Sequence, residues 1–318
     1  MKDKKPLVII AGPTSVGKTG ISIQLAKRIH GEIISADSMQ VYKGMDIGTA
    51  KITSSEMEGV PHYLIDILRP KDEFNVVVFQ KYAKHAMETI YRNGHIPILV
   101  GGTGFYIQSI LYDIDFSEGE QDIEYRATLE AMAIKNGDGY LHRLLQKVDA
   151  KSADNIHPNN RKRVIRALEY YKINGEPISK HNEEERKKIS PYEAYYFVLN
   201  DDRERLYQTI EQRIDQMMEN GLLEEVRNLK KRGYSSDMVS MQGLGYKELL
   251  EYLNGDCTLE ESIYKLKRDT RHFAKRQLTW FRREKNVIWI SKADYQYEKQ
   301  KIVDYMIDIM NKKETEIK

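Results

Sequence analysis

An α/β fold, a doubly wound parallel sheet with a helical insertion and a helical C-terminal region, is what this sequence predicts, and three observations predict it. The chain opens on the apolar run Leu7-Val8-Ile9-Ile10-Ala11, then a glycine-containing loop, then a helical pattern at Ile21, Ile23, Leu25, Ala26 and Ile29. Short apolar runs and helical periodicities go on alternating as far as Tyr112, the rhythm of strands joined by crossover helices. Beyond it the pattern is helical except at the runs 194–199 and 287–290.

The first loop reads Gly12-Pro13-Thr14-Ser15-Val16-Gly17-Lys18-Thr19, which satisfies G-x-x-x-x-G-K-[ST] in the strand-loop-helix setting that the motif needs. Glycines at 12 and 17 allow turns that a Cβ blocks, so successive N–H groups can aim inward at an anion. The helix from Lys18 adds its positive N-terminal end. Lys18 suits terminal phosphates as a mobile point charge, and the Thr19 hydroxyl suits a Mg²⁺ ion that neutralises the same oxygens. A bare strand-to-helix turn needs none of this, so the sheet is expected to be P-loop NTPase-like.

Residues 32–35 read as a second strand ending at Ala36-Asp37-Ser38, which puts Asp37 at the carboxyl edge of the sheet, where ligands sit in open α/β folds. A carboxylate there can hold Mg²⁺, accept a substrate proton or cap a turn. Residues 40–51, with Gly44 and Gly48 among polar neighbours, predict a mobile, ligand-facing loop. Asn75 is a candidate cap for a helix through Val78, Phe79, Tyr82, Ala86 and Ile90, stopped by Asn93-Gly94. A buried strand at 96–100 opens into Gly101-Gly102-Thr103-Gly104, where Thr103 either caps the helix 105–112 or turns its hydroxyl to substrate. No aspartate ends that strand, where a Walker-B acid would stand.

Acidic and glycine residues displace the apolar pattern over 113–122. The chain accordingly divides into a first part of the core at 1–116, a helical insertion at 117–194, and a completion of the core with basic helices at 195–318. Inside the insertion, Ile156-His157-Pro158-Asn159-Asn160 precedes a helix that opens Arg161-Lys162-Arg163-Val164-Ile165-Arg166. Four cations at a helix start oppose the dipole, which favours a polyanion partner over a solvated face. The run 183–188 reads as an ordinary charged loop or helix end. Helices are expected at 203–219, 222–232, 245–253 and 259–284, then a strand, a closing helix at 295–310 and a frayed tail. The long helix carries Lys265, Arg268, Arg271 or His272, Lys275 and Arg276 at helical spacing, opposite Leu266, Phe273, Leu278 and Phe281. Together with the basic helix start, this stripe favours a nucleic-acid cleft.

The chain has 318 residues, 41% hydrophobic and 31% charged, as in an ordinary globular enzyme rather than a disordered chain. Its net charge is +2, so affinity for nucleic acid must come from local clusters. A single cysteine, Cys257, excludes an intrachain disulfide and a multi-cysteine zinc site and fits a reducing compartment. The first apolar run is too short for a signal-peptide core, and no stretch approaches the roughly 18 apolar residues that span a bilayer. A cytoplasmic location without membrane contact is expected.

With these segments laid out, the sequence resembles the bacterial tRNA dimethylallyltransferases, also called tRNA isopentenyltransferases. The matching stretches are the phosphate loop, the long block Ala36-Asp37-Ser38-Met39-Gln40-Val41-Tyr42-Lys43-Gly44-Met45-Asp46-Ile47-Gly48-Thr49-Ala50-Lys51, and Val60-Pro61-His62-Tyr63-Leu64-Ile65-Asp66. Further on come Gly101-Gly102-Thr103-Gly104-Phe105-Tyr106, Ile156-His157-Pro158-Asn159-Asn160-Arg161, Arg166-Ala167-Leu168-Glu169, Gly243-Leu244-Gly245-Tyr246 and Thr270-Arg271-His272-Phe273-Ala274-Lys275-Arg276-Gln277. No counterpart of the C-terminal zinc finger of some eukaryotic relatives is expected.

The resemblance implies transfer of a dimethylallyl group from dimethylallyl diphosphate to N6 of the adenine 3′-adjacent to the anticodon in tRNA. It implies that Gly12 to Thr19 bind the diphosphate with Mg²⁺ on Thr19, and that Lys18, Asp37 and Thr103 are catalytic. It also places Asp37, Ser38, Met39, Gln40, Thr103, Arg126, Arg161, Lys162, Arg163, Val164 and Ile165 against tRNA, with Met241, Gln242, Gly243, Leu244, Gly245 and Tyr246. The insertion and the basic C-terminal helix are expected to grip the anticodon stem-loop from two sides of a monomer. Bottom-up chemistry agrees: charge builds on the diphosphate as the allylic C–O bond breaks, and Asp37 suits the proton of the exocyclic amine. A small-molecule kinase with ATP in the loop explains Lys18, Mg²⁺ and Asp37 as well, but leaves both basic helices unemployed. An RNA-binding nucleotide switch without covalent chemistry gives Asp37 and Thr103 no task.

Overall fold

The computed structural model describes residues 4–116, 122–185 and 187–317; the start of the expected insertion at 117–121, Arg186 within the charged run, and Lys318 lie outside the described residues. The chain divides into two compact units, Met1–Leu111 with Ser190–Lys318, and Tyr112–Ile189.

In the first unit six strands form one parallel sheet. In chain order they are β1 (Pro6–Ala11), β2 (Gly31–Ala36), β3 (His62–Tyr63), β4 (Ile96–Gly101), β5 (Glu193–Asn200) and β6 (Ile288–Ser291), arranged β3-β2-β4-β1-β5-β6. β1 lies between β4 and β5, with Val8 opposite both Ile98 and Tyr195, so both edges of β1 are paired. With helices on both faces of the sheet, its side chains from Leu7 to Ala11 are fully buried, which is why the run is uninterruptedly apolar instead of alternating. Helix α1 (Lys18–Ile29) leaves β1 toward β2, and α2 (Val76–Arg92) returns from the edge strand β3 to β4. Right-handed crossovers in opposite directions place these helices on opposite faces. Helix α3 (Gly104–Leu111) leaves β4 toward β5 and packs against α2. The carboxyl ends of β1 and β4 are therefore neighbours whose chains depart in opposite directions, and the crevice between them is where such sheets bind ligands.

The second unit holds α4 (Ile123–Asn136), α5 (Asp138–Val148), α6 (Ala150–Asn155), α7 (Arg161–Asn174) and α8 (Ile178–Glu185). They share a core of Leu129, Leu141, Leu145, Val164, Ile165 and Leu168. Asp149 ties α6 to α8, accepting from the backbone and hydroxyl of both Ser152 and Ser179.

The first unit is completed by α9 (Arg203–Glu219), α10 (Leu222–Lys231), α11 (Tyr246–Asn254), α12 (Leu259–Phe281) and α13 (Lys299–Ile317). Asn75 caps α2 as expected, accepting from Val77 N and Val78 N. Asp202 caps α9 in the same way, and Thr258 with Glu261 forms a capping box on α12.

The differences from the sequence reading are local. β5 begins at Glu193, pulled into the sheet by its register with Pro6. The two-residue β3 is too short to show as a period. Helix α13 starts at Lys299 because Gln296 and Tyr297 are left-handed, at φ 55° and 63°, and it runs on to Ile317 rather than fraying at Lys312. Among the described residues no helix is long and apolar enough to cross a membrane.

Candidate active site

The loop after β1 has the geometry its sequence demands. Gly12 sits at φ 144° and a Cβ there would lie 2.6 Å from the Leu199 carbonyl oxygen, so only glycine fits. Ser15 and Gly17 take left-handed angles of 63° and 91°, which fold the loop around its own amides. Lys18 bends back over it, its Nζ donating to the carbonyls of Gly12 at 3.0 Å and Pro13 at 2.8 Å. Burial pulls the Lys18 ammonium down to about 8; Asp37 opposes that shift and Arg213 adds to it.

Lys18, Thr19 and Asp37 line one cavity of about 60 Å³. Ile33, Ile52, Ile65 and Val100 furnish apolar walls for the same space. Asp37 reaches it from the end of β2, with Oδ1 accepting from Met39 N at 2.8 Å and Gln40 N at 3.4 Å. These bonds make an Asx turn that uses one oxygen of the carboxylate. Across the crevice, Gly101 must be glycine, because a Cβ would stand 2.2 Å from the Ala36 carbonyl oxygen. The carbonyl of Thr103, accepting from Tyr106 N and Ile107 N, starts α3 and leaves its hydroxyl to other partners.

The segment 40–51 has no regular element, but it is tied down rather than mobile. Lys51, buried at 5% side-chain exposure, bonds to Tyr42 O, Asp46 Oδ1 and Asp66 Oδ1, and Glu225 of α10 accepts from the amides of Asp46, Ile47 and Gly48. The sequence reading erred because glycine and polar composition reveal nothing of partners about 180 residues away.

Three further residues meet the loop that sequence reasoning did not single out. Gln277 of α12 accepts from Thr14 N at 2.8 Å and donates to Gly102 O at 3.0 Å, joining the loops after β1 and β4. Arg213 of α9 lies 3.5 Å from the Ser15 hydroxyl; burial lowers its pKa and Asp37 opposes this. Lys292 pairs with buried Asp201 at 3.4 Å and stands 3.8 Å from where a Gly17 Cβ would be. Arg213 shares α9 with buried Ile210 and Ile214, so in sequence it reads as an ordinary charge on an amphipathic helix. Gln277 carries no signal beyond its place in a resembling stretch.

The expected polyanion contacts divide by burial. In the second unit, the guanidinium of Arg126 grips the fully buried Glu169 through Nε at 2.7 Å and Nη2 at 2.8 Å, and Arg166 joins the same carboxylate. Arg161 is paired with Asp138 at 2.6 Å and Glu130 at 3.3 Å. Of the four cations at the start of α7, Arg161 and Arg166 thus have carboxylate partners inside their own unit, whereas Lys162 and Arg163 are exposed. Val164 and Ile165 are core residues, so their side chains are spent on packing. In the first unit Met241 and Tyr246 are buried, while Gln242 is exposed. Gly243 approaches Met39 so closely that a Cβ would lie 2.4 Å from its Cε. The pair thus brings 38–40 and 242–244 together.

The stripe on α12 divides in the same way. Lys265, Arg268 and Arg271 are paired with Glu251, Asp269 and Glu211. Farther along the helix, Lys275, Arg276, Thr279, Trp280 and Arg283 line a groove of about 200 Å³ that includes no carboxylate. Gly104 makes it possible, since a Cβ there would meet the Trp280 ring at 2.1 Å.

Known proteins extend this picture. A family model described as IPP transferase matches residues 40–284. A tRNA dimethylallyltransferase of Lachnoclostridium phytofermentans is 60% identical over 310 residues, covering 98% of this chain and 99% of that one. A tRNA isopentenylpyrophosphate transferase of Bacillus halodurans superposes with a TM-score of 0.73 at 45% identity, covering 98% of this chain and 99% of the other. A eukaryotic dimethylallyltransferase, seen in crystallographic snapshots acting on tRNA, gives 0.79 at 31% identity over 90% of this chain and 74% of its own. A match over most of the chain in sequence, and over nearly all of it in structure, leaves one conclusion: this chain belongs to the IPP transferase family, that of the tRNA dimethylallyltransferases.

Proposed function

We propose that this chain transfers the dimethylallyl group of dimethylallyl diphosphate to N6 of the adenine 3′-adjacent to the anticodon in tRNA. The observation that carries the reading is the cavity beside the phosphate loop, which is lined by both charged and apolar side chains. Lys18 and Thr19 suit a diphosphate, and Ile33, Ile52, Ile65 and Val100 suit a small branched hydrocarbon. The kinase reading gives the carboxylate-free groove of Lys275, Arg276 and Arg283 no task.

In this reading the loop amides, Lys18 and Arg213 hold the diphosphate, in a water-poor site where such contacts count most as charge accumulates on the leaving oxygen. Mg²⁺ fits the Thr19 hydroxyl. Among the described residues no three His, Cys, Asp or Glu gather into a metal site, so its remaining ligands would be diphosphate oxygens and water, as this ion accepts. When bound it neutralises part of the developing negative charge. The allylic C–O bond breaks with its electron pair going to the diphosphate, and the N6 lone pair of adenine forms the new C–N bond. The N6 proton passes to the Asp37 oxygen that the Asx turn leaves available, and Thr103, whose N–H donates to the Ala36 carbonyl at 3.4 Å, carries the hydroxyl next to the end of β2. The groove of Lys275, Arg276 and Arg283, with exposed Lys162 and Arg163, would engage phosphates, which position the RNA without reading its sequence. The adenine must leave its stack to reach the cavity.

The test is to give purified protein, Mg²⁺ and unmodified tRNA either labelled dimethylallyl diphosphate or γ-labelled ATP. Prenyl label on the adenine 3′ of the anticodon is expected. ATP consumption without prenyl label would mean that the phosphate loop serves a different ligand.

A further inference from the structure

Residues 46–48 turn three successive backbone N–H groups toward one carboxylate. Glu225 Oε2 accepts from Asp46 N and Ile47 N, each at 2.8 Å, while Oε1 accepts from Gly48 N at 3.1 Å and the Tyr246 hydroxyl at 2.6 Å. A run of amides converging this way is an anion nest, here filled by a side chain from α10. Gly48 is required, because a Cβ there would lie 2.6 Å from the Tyr246 ring. The contacts continue toward the reacting groups. Gln40 Nε2 donates to Thr49 O at 3.3 Å and Ala50 O at 3.4 Å, the Ser35 hydroxyl donates to Gln40 Oε1 at 3.3 Å, and Gln40 N donates to Asp37 Oδ1. Asp37 and Gln40 both line the cavity.

We infer that Glu225 is a positioning residue for prenyl transfer: with Tyr246 it fixes 46–50, through them Gln40, and so the aim of the Asp37 carboxylate. The inference rests on the proposed function. It assigns the buried Tyr246 a role in holding this loop. Sequence offers no way to tell Glu225 from its neighbour Glu224, which pairs with Arg227 on the surface. A ligand held by four bonds to fixed groups fixes them in turn, and a displacement of about 1 Å at a reacting group can cost about a hundredfold in rate.

The experiment compares wild type with Glu225→Gln, Tyr246→Phe, the double variant and the control Glu224→Gln. It reads kcat and tRNA KM for prenyl transfer, donor affinity, and hydrogen exchange at the amides of 46–48. A glutamine keeps one acceptor oxygen but presents an NH₂ to amides that are themselves donors. Glu225→Gln is expected to lower kcat about 10- to 100-fold, leave donor affinity within about twofold, and speed exchange at 46–48. Tyr246→Phe should act in the same direction but less, with the double variant short of additive, because both break one network. Unchanged kcat in Glu225→Gln, with wild type active, overturns the inference alone, and so does a loss of kcat accompanied by equal loss of donor affinity and of exchange protection throughout the unit. A wild type that transfers no prenyl group overturns the proposed function itself.

Discussion

Removing the Gln277 side chain should separate the phosphate loop from the loop after β4. Gln277 is 7% exposed and makes two bonds, accepting from Thr14 N at 2.8 Å and donating to Gly102 O at 3.0 Å. Gln277→Ala deletes both partners at once and leaves the half-buried Thr14 N–H and the buried Gly102 carbonyl unmet, at about 1 to 2 kcal/mol each. The sum is about 2 to 4 kcal/mol of stability, or a fall of about 4 to 10 °C in the unfolding midpoint. Loss of the tie at Thr14 also loosens the phosphate loop as a whole, so donor affinity should fall about tenfold, the equivalent of one hydrogen bond. Gln277→Glu separates the two effects. It retains an acceptor for Thr14 N, yet it sets a carboxylate against the Gly102 carbonyl and beside the phosphate site. It should therefore bind donor more weakly than the alanine variant. Calorimetric titration with dimethylallyl diphosphate and thermal unfolding of all three proteins check this. An alanine variant with wild-type donor affinity and midpoint, or a glutamate variant that binds donor as well as wild type, would refute the bridging role.

Asp37→Asn keeps the acceptor for Met39 N and removes the base; turnover should fall roughly 10²- to 10⁴-fold with tRNA binding retained, and near wild-type turnover would take Asp37 out of the mechanism. Lys162→Ala with Arg163→Ala should weaken tRNA binding and flatten its salt dependence by about one to two counterions, whereas Arg161→Ala, which breaks the pairs with Asp138 and Glu130, should lower thermal stability instead; identical salt slopes would return 162 and 163 to a solvated face. Lys18 should impose a pH limit on donor binding. Its folded pKa of about 8 lies below the 10.5 of an ordinary lysine, so the cation that meets the diphosphate is lost as pH rises through 8, and affinity should fall about tenfold per unit above it. The sign for stability is opposite: holding the charged form in a buried site opposes folding below pH 8, and that penalty fades between 8 and 10.5. Lys18→Arg, charged throughout, should flatten the binding profile; an unaltered profile would dissociate it from Lys18.

Residues next to each other in sequence determined much of this protein without help. The phosphate loop is a local object, since Gly12 and Gly17 set its backbone and Lys18 and Thr19 ride on the first turn of the helix it starts. Asp37 is likewise placed by where β2 ends. The alternation of apolar runs and helical periods was sufficient for a doubly wound parallel sheet, because a strand buried on both faces has no freedom to be polar. The tertiary structure decided everything that depends on distant partners. It brought Gln277, Arg213 and Glu225 from three different helices to two loops, and no local pattern marks which glutamine, arginine or glutamate of an amphipathic helix will face inward. It also decided which cations keep their charge available. Arg161, Lys265, Arg268 and Arg271 look the same in sequence as Lys162 and Arg283, but the first four are paired with carboxylates. A helix period tells which residues share a face, but what lies against that face is settled only when the chain packs.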